Sequence, residues 1–347
     1  MKKGVVRTIA IILAGMLISC GETLLGPDVP GDPSGTFETL WSEFDHYYAL
    51  FGVRRINWDS LGAAYRPRVA AVTDDQQLYG LLGSLLGNLD DAHVTLHTPY
   101  GSFVADREHD DSSAVIEPGL ILYNYMKGRF DTAGEGRIQY GRIGDSIGYM
   151  RIATFQGPIE IAPGISEWAR DIDHVIESLA GTRGMIIDVR NNDGGNTFNA
   201  LHIASRFADA EHLYLTSQSR SGPGHDDFTE PLGRTVAPAG PLRYAGTVVL
   251  LTNGRSVSSA EWFTLAMTRF ANVTVIGDTT AGSLSGRMER ELPNGWRYSI
   301  SVHKILTPEG ISYEGTGIPP DIVVGTTRAD IAASRDPILE RAMAMVR

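Results

Sequence analysis

The strongest constraint on the fold of this chain is the alternation of short apolar strands with helices over its second half. Residues 185–189 form the clearest strand, and its only polar member is Asp188. Strands that are apolar on both faces are typical of parallel sheets covered by helices on each side. The alternation therefore predicts a layered α/β core that contains parallel strand pairs. It continues with helices predicted at 197–207 and 258–271 and strands at 247–251 and 273–276.

The first hundred residues follow a different pattern, because their apolar residues recur at helical spacing. The segments 36–51 and 59–72 are predicted to be helices, and a third helix opens at Thr73. We expect residues 36–97 to form a small helical N-terminal subdomain and residues 98–347 to form the α/β core. The aromatic residues of the first helix are expected to pack in its core rather than to bind a cofactor. Strands are also predicted at 92–97, 116–126, 137–143, 146–152, 287–292 and 297–304, and helices at 161–180 and from Asp336 onwards.

The N-terminus has the pattern of a secretory signal. Lys2, Lys3 and Arg7 lead into an apolar run at 8–18, which is too short to span a bilayer stably. A charged segment followed by a short apolar one is typical of signal peptides. We therefore expect residues 1–19 to be a signal peptide that is removed from the mature protein.

The end of that segment predicts lipid attachment. The sequence Leu-Ile-Ser-Cys at 17–20 resembles a bacterial lipobox, in which the cysteine is acylated and becomes the mature N-terminus. Cys20 is the only cysteine, which excludes disulfides and a cysteine nucleophile. Residues 20–35 are rich in proline and glycine and predict a flexible tether. We expect a lipid-anchored protein of the bacterial cell envelope, and Gly21 after the cysteine suggests the outer membrane, facing the periplasm.

The charges of the chain exclude one class of partner and restrict the chemistry. The 347 residues include 41 acidic and 30 basic ones, giving a formal net charge of −11 at pH 7, which argues against a nucleic-acid partner. Lysine occurs only at Lys2, Lys3, Lys127 and Lys304. Arginine stays protonated and cannot act as a general base. Few residues could therefore serve in a mechanism that needs a neutral lysine.

The first candidate for chemistry is the loop 188–196, which follows the buried strand and contains Gly194 and Gly195. Glycines in such a turn allow backbone N–H groups to face an anion at the start of the next helix. The alternative is a turn that uses asparagine and glycine only for their conformations. Neither a P-loop nor a GxGxxG dinucleotide pattern is present, and we expect no cofactor.

The second candidate is the segment 256–261, which joins a predicted strand to a predicted helix. A serine at this position can be presented to solvent above the helix N-terminus, as nucleophiles often are. The alternative is structural, because Ser258 and Glu261 have the spacing of a capping box. The two interpretations are compatible.

The third candidate is His93, which lies between the predicted helical region and the first predicted strand. Imidazole is the usual general base for a serine at neutral pH. The alternative is an ordinary surface or packed histidine. His97 could join His93 at a metal, but the chain has no HExxH motif and no second cysteine, so no metal site is expected.

Taken in order, these motifs resemble the tail-specific, or C-terminal processing, serine peptidase family, on its tricorn-like and interphotoreceptor retinoid-binding-protein-like side. The resemblance covers about residues 37–346. It implies a ClpP/crotonase-like layered core with a mixed sheet, preceded by a helical segment. The motifs are those at 89–93, 147–152 (IGYMRI), 188–195 (DVRNNDGG), 256–261 (SVSSAE), 276–282, 292–295 and 314–321 (EGTGIPPD).

The resemblance implies a role for each matching residue. Ser258 would be the nucleophile, His93 the general base and Glu314 the carboxylate that orients the histidine. The processing-peptidase branch instead uses a lysine after the Thr-x-Gly turn, where this chain has Ser283. A Ser–His–Glu site is therefore expected rather than a Ser–Lys pair.

The family also implies an oxyanion hole and exposes one departure. The N–H of Ser259, with that of Gly194 or Gly195, would bind the oxyanion. Tricorn-like enzymes have a serine directly before the histidine, and this chain has Ala92. Asp91 is the alternative residue to orient His93.

These features together predict a lipid-anchored serine endopeptidase that acts on proteins or peptides. No inserted PDZ domain is expected between His93 and Tyr149, because the interval is short. One alternative is a non-catalytic protein of the same fold that binds a ligand or peptide. Another is an esterase or amidase that uses the same residues on small substrates.

Overall fold

A seven-stranded mixed sheet forms the centre of the protein, in a computed structural model that describes residues 30–106, 118–157 and 164–346. The strand order is β14-β10-β9-β6-β5-β4-β3. The five strands from β14 to β5 are parallel, and β4 and β3 are antiparallel to their neighbours. The predicted mixed α/β fold is confirmed. The strands are β3 (Phe130–Ala133), β4 (Ile138–Ile143), β5 (Ile147–Ile152), β6 (Gly184–Asp188), β9 (Thr247–Thr252), β10 (Val273–Gly277) and β14 (Ile322–Val323).

Helices cover both faces of this sheet, which explains its apolar strands. Along β6, Met185 and Ile187 point into the core on one face, whereas Ile186 points into the core on the other. Successive side chains of a strand alternate in this way, so a strand covered on both faces must be apolar throughout. The main helices are α5 (Ile172–Ser178), α6 (Thr197–Ala204) and α7 (Ser259–Met267) on the first face, and α9 (Pro337–Met345) on the second, with α8 (Arg328–Ala332) preceding it.

Four helices build the N-terminal region, and side-chain caps fix where three of them begin. Asp32, Asn57 and Asp74 each accept a hydrogen bond from a backbone N–H of the helix that follows. The predicted aromatic core is confirmed, with Phe44 and Tyr48 fully buried. The helices are α1 (Pro33–Tyr47), α2 (Phe51–Arg54), α3 (Trp58–Val69) and α4 (Asp75–Leu86).

The N-terminal helices share their core with strands from both ends of the chain. A four-stranded antiparallel sheet has the order β11-β12-β1-β2. Its strands are β1 (Asp91–Thr98), β2 (Gly101–Ala105), β11 (Arg287–Glu291) and β12 (Arg297–Ser301). A third sheet, β13-β7-β8, comprises β7 (His212–Ser219), β8 (Leu232–Val236) and β13 (His303–Leu306).

Four sequence predictions were wrong in their local structure. The segment 116–126 was expected to be a strand, but Pro118–Leu120 and Ile121–Tyr125 are helical turns, because a short apolar run does not distinguish the two. Helix α1 begins at Pro33, inside the expected tether, since Asp32 caps it. The single strand expected at 297–304 is divided between two sheets at Val302, whose N–H bonds to Gly286. The single helix expected at 161–180 has a 3₁₀ turn at Glu167–Asp171 before α5.

The predicted signal peptide and Cys20 lie outside the described residues. Within the part of the chain that the structure describes, every helix is too short or too polar to cross a bilayer.

Candidate active site

Ser258 lies between β9 and α7, at the carboxyl end of the central parallel strands. Its backbone is strained, with φ 57° and ψ −115°. A non-glycine residue in this conformation costs about 1–3 kcal/mol, and such strain occurs mainly where function requires it. A capping box is present at the start of α7: the N–H of Ser258 donates to Glu261, and the Ser258 hydroxyl lies near the N–H of Glu261 without making a side-chain cap hydrogen bond. The hydroxyl therefore remains available to the cleft that Ser258 lines.

Glu261 holds Ser258 in this conformation. Its buried carboxylate accepts hydrogen bonds from the N–H groups of Ser258 (2.9 Å), Gly282 (2.7 Å) and Ser283 (2.9 Å), and from the Thr280 hydroxyl (2.7 Å). Burial raises the pKa of Glu261, and these four bonds oppose the rise. One carboxylate thus ties the turn before α7 to the loop after β10.

The glycine loop packs directly against Ser258. Both glycines have positive φ, 86° at Gly194 and 130° at Gly195, and a Cβ on Gly194 would lie 2.8 Å from that of Ser258. The Gly194 N–H donates to Asn192 Oδ1 (2.9 Å), whereas Gly195 lines the cleft. The Ser259 hydroxyl donates to the Gly195 carbonyl (2.7 Å) and joins the two loops. Gly195 is therefore better placed than Gly194 to share an oxyanion site with Ser259.

A buried ion cluster that no sequence motif marks supports this loop. Arg190 makes hydrogen bonds to Asp188 (2.6 and 2.9 Å) and to Asp336 (2.8 and 3.0 Å). Tyr149 donates to the same Asp188 carboxylate at 2.9 Å. Burial lowers the pKa of Arg190, but the two carboxylates outweigh it and raise the pKa well above its usual value, so Arg190 stays charged. The polar residue of the apolar strand thus anchors the loop that follows it.

His93 lies on β1 and lines the same cleft as Ser258. The backbone N–H of His93 donates to Asp91 Oδ1 (2.9 Å), and its backbone carbonyl accepts from the Ser299 hydroxyl (2.6 Å). Burial lowers the pKa of the imidazole; Asp91 opposes this, and Arg287 and Arg54 add to it. A histidine with a lowered pKa is neutral at pH 7, as a general base must be.

Among the described residues, no hydrogen bond fixes the orientation of the imidazole ring. Its Nδ1 is buried and has no hydrogen-bond partner. Among the described residues, no hydrogen bond joins His93 to the Ser258 hydroxyl or to Glu314 either. Catalytic hydrogen bonds are often long without substrate and shorten in its complex, so this geometry does not remove His93 as a candidate.

Glu314 is buried, and its hydrogen bonds go to residues other than His93. Its carboxylate accepts from the N–H groups of Leu284 (3.0 Å) and Ser285 (2.9 Å) and pairs with the Arg54 guanidinium (3.1 Å). Burial raises the pKa of Glu314 to about 8, and Asp91 adds to the rise while Arg54 opposes it. Its role in orienting His93 stays a prediction.

Asp91, the other residue predicted to orient His93, is fully buried near Arg54 and Glu314. Besides the His93 N–H it accepts a hydrogen bond from the Tyr48 hydroxyl (3.0 Å), and neither bond involves the imidazole ring. Tyr48 and Arg54 were missed from the sequence, because no motif marks them. Only the packing of the N-terminal helices brings them to the site.

The cleft between Ser258 and His93 has a volume of about 570 Å³. This lies within the range of small-ligand sites. Val257, Trp262 and Leu284 give it apolar surface, and Gln156 and Asp193 give it polar surface. The site can therefore hold a few side chains next to the Ser258 hydroxyl, with N–H groups of two loops nearby.

Two family models match this chain, and they fit the two regions of the fold. Residues 146–324 match peptidase family S41, and residues 32–87 match the tricorn protease C1 domain. The chain belongs to peptidase family S41. The resemblance to tail-specific peptidases is thus confirmed. The S41 match contains Ser258, Gly195 and Glu314, whereas His93 lies between the two matched segments.

Individual S41 relatives agree with this membership. The carboxy-terminal processing protease CtpA of Bacillus subtilis (strain 168) is 28% identical over 168 residues, which are 48% of this chain and 34% of that protein. The chain spans about a third of the length of the curated relatives it matches first.

Solved structures extend the likeness to most of the chain. A candidate peptidase from Parabacteroides merdae ATCC 43184 is 30% identical, with a TM-score of 0.81 and coverage of 91% of this chain and 97% of that one. The tricorn protease is 15% identical, with a TM-score of 0.58 over 91% of this chain and 36% of that one. The second likeness shows the fold alone.

Proposed function

We propose that this chain is a serine endopeptidase that cleaves peptide bonds with Ser258 as nucleophile and His93 as general base. The observation that supports it most is the strained Ser258, held by Glu261 in a cleft that His93 and Gly195 also line. Backbone strain at a non-glycine residue is costly, and it occurs mainly at functional sites. Membership of peptidase family S41 supports the same reaction class.

The reaction would follow the usual course of acyl transfer. Ser258 Oγ attacks the peptide carbonyl while His93 takes its proton. The N–H groups of Gly195 and Ser259 bind the developing oxyanion. His93 then gives the proton to the leaving amine, and a water molecule hydrolyses the acyl-enzyme by the reverse sequence. Glu314, when ionised, would stabilise the imidazolium, and the site would then be of the Ser–His–Glu type.

We further propose that the enzyme is anchored in the bacterial cell envelope through an acylated Cys20. The lipobox-like sequence at 17–20 supports this. The protein would then face the periplasm from the outer membrane and meet protein or peptide substrates there. Metabolic labelling with an alkyne fatty acid tests it: wild type should be labelled, and label retained in C20A would contradict it.

One observation favours a second candidate, a non-catalytic protein that binds a ligand or peptide in the same cleft. The His93 ring has no hydrogen-bond partner at Nδ1, and the described residues include no bond from His93 to Ser258. This candidate predicts binding of peptides without their hydrolysis. A third candidate, an esterase or amidase, would hydrolyse small esters but not proteins.

A fluorophosphonate probe tests the proposal. We expect wild type to be labelled and S258A to be unlabelled. S285A is the matched control, because Ser285 lies on another wall of the same cleft. Equal labelling of wild type and S258A would remove Ser258 from the mechanism. Hydrolysis of casein and of small esters, measured in parallel, separates the endopeptidase from the other two candidates.

A further inference from the structure

A second buried cluster lies directly behind the candidate site. It contains two carboxylates, Asp91 and Glu314, and one cation, Arg54. Asp91 raises the pKa of Glu314 further than burial alone does, because two buried like charges cannot easily both be ionised. The side chain of Arg54 is only 9% exposed, and that of Glu314 is fully buried.

Arg54 joins three parts of the molecule that are distant in sequence. One nitrogen pairs with Glu314, and another donates to the carbonyl of Asp90, just before β1 begins. Asp90 has a positive φ of 51°, so the chain turns sharply there before it reaches His93. Glu314 in turn holds the backbone of Leu284 and Ser285, which line the cleft.

We propose that Arg54 is a positioning residue that sets the charge behind His93 and fixes the strand that presents it. The inference rests on the proposed function. Arg54 lies in the segment that matches the tricorn C1 domain, so the N-terminal helices would be a working part of the site rather than an attached support. Arg54 lowers the pKa of Glu314, and an ionised Glu314 would balance the imidazolium that forms when His93 takes a proton.

The electrostatics give this proposal a definite sign. Arg54 lowers the pKa of both His93 and Glu314, so its removal raises both. The acidic limb of a pH–rate profile then moves to higher pH, whichever of the two groups sets it. The other groups that act on this pair are Asp91 on β1, Arg287 on β11, Glu261 on α7 and Tyr48 after α1.

The experiment compares pH profiles of kcat/KM for peptide hydrolysis. In R54M we expect the acidic limb to move up by about one pH unit if Glu314 sets it, since loss of an opposite charge at ion-pair distance raises a carboxyl pKa by about 1–3 units. If His93 sets it, loss of a like charge moves the limb in the same direction. In R54K, which keeps the charge, the limb should stay near that of wild type. The control is R66M, because Arg66 pairs with Glu38 in the same helical region but is half-exposed. Its limb should not move.

A second measurement decides the matter if R54M does not fold or is too weak to profile. R54K should lower kcat/KM at least about fivefold in wild type but less than about twofold in E314Q, because partners in one network are not additive. Equal losses in both backgrounds, or an unmoved limb in an active R54M, would overturn the inference. If wild type itself neither hydrolyses peptides nor reacts with the fluorophosphonate, the proposed function fails instead.

Discussion

Replacing Glu261 by glutamine tests how Ser258 is held. The carboxylate accepts four hydrogen bonds, two on each oxygen. An amide has only one accepting oxygen, and its NH₂ group would face two of the four donors. If the amide oxygen keeps Ser258 and Ser283, the NH₂ group meets Thr280 and Gly282. The Thr280 hydroxyl can rotate to accept, but the Gly282 N–H cannot.

E261Q therefore leaves at least one backbone N–H without a partner in a fully buried site. The two hydrogen bonds that remain on the amide oxygen are also weaker, because their acceptor is no longer charged. A buried unsatisfied donor costs about 1–3 kcal/mol. Burying the charge of Glu261 is costly, and this cost is what raises its pKa. The neutral amide avoids that cost, which offsets part of the loss. We expect E261Q to lose about 1–3 kcal/mol of unfolding free energy. Its activity should fall less than about tenfold, because Ser258 keeps its bond.

Urea unfolding followed by circular dichroism measures this change, with kcat/KM measured on the same samples. The control is E309Q, since Glu309 pairs with Arg269 at an exposed site. It should change stability by less than about 0.5 kcal/mol. An E261Q protein as stable as wild type would refute the assignment of Glu261 as the holder of this turn.

Three further predictions follow from the site. The pKa of Glu314 in the folded protein is about 8, above its value in the unfolded chain. The protonated carboxyl therefore stabilises the fold fully below the unfolded pKa, and this contribution is lost as pH rises to 8. Urea unfolding at pH 5 to 8 should show wild type losing stability relative to E314Q, by at most about 1.4 kcal/mol per pH unit; parallel curves would contradict this. G195A should lower kcat about 10²–10³-fold with little change in KM, because its Cβ would meet the backbone of Gln156 and displace an oxyanion donor; an unchanged kcat would exclude that role. D336N should cost about 1.5–3 kcal/mol in thermal unfolding, because it weakens the charge-assisted hydrogen bonds from Arg190 and leaves Asp188 as its charged partner; a loss below about 0.5 kcal/mol would contradict it.

The alternation of apolar strands and helices was enough to predict the central sheet. A strand such as 185–189 has no polar face, and only a sheet covered on both sides can bury it. The loops after such strands were equally visible, so Ser258 and Gly195 could be expected at the same edge of the sheet. His93 follows a predicted helical region, and only the family resemblance joined it to them. The family resemblance then supplied their roles.

The features that could not be predicted from the sequence depend on contacts between residues far apart in the chain. Arg54 and Glu314 are 260 positions apart, and no local pattern marks their pairing. The division of 297–304 between two sheets depends on which strands lie beside each half. Similarly, Glu314 matched the family motif, but its actual partners could be found only from the folded structure.

In the proposed mechanism Ser258 and His93 act as one unit, and a double-mutant cycle tests this. Residues of one catalytic unit are strongly non-additive, since removing either abolishes the same step. The measurement is kcat for peptide hydrolysis by S258A, H93A and the double variant. If Ser258 and His93 act as one unit, all three variants have the same low residual rate. A double variant whose loss is the product of the two single losses, or an H93A enzyme near wild-type activity, would contradict it.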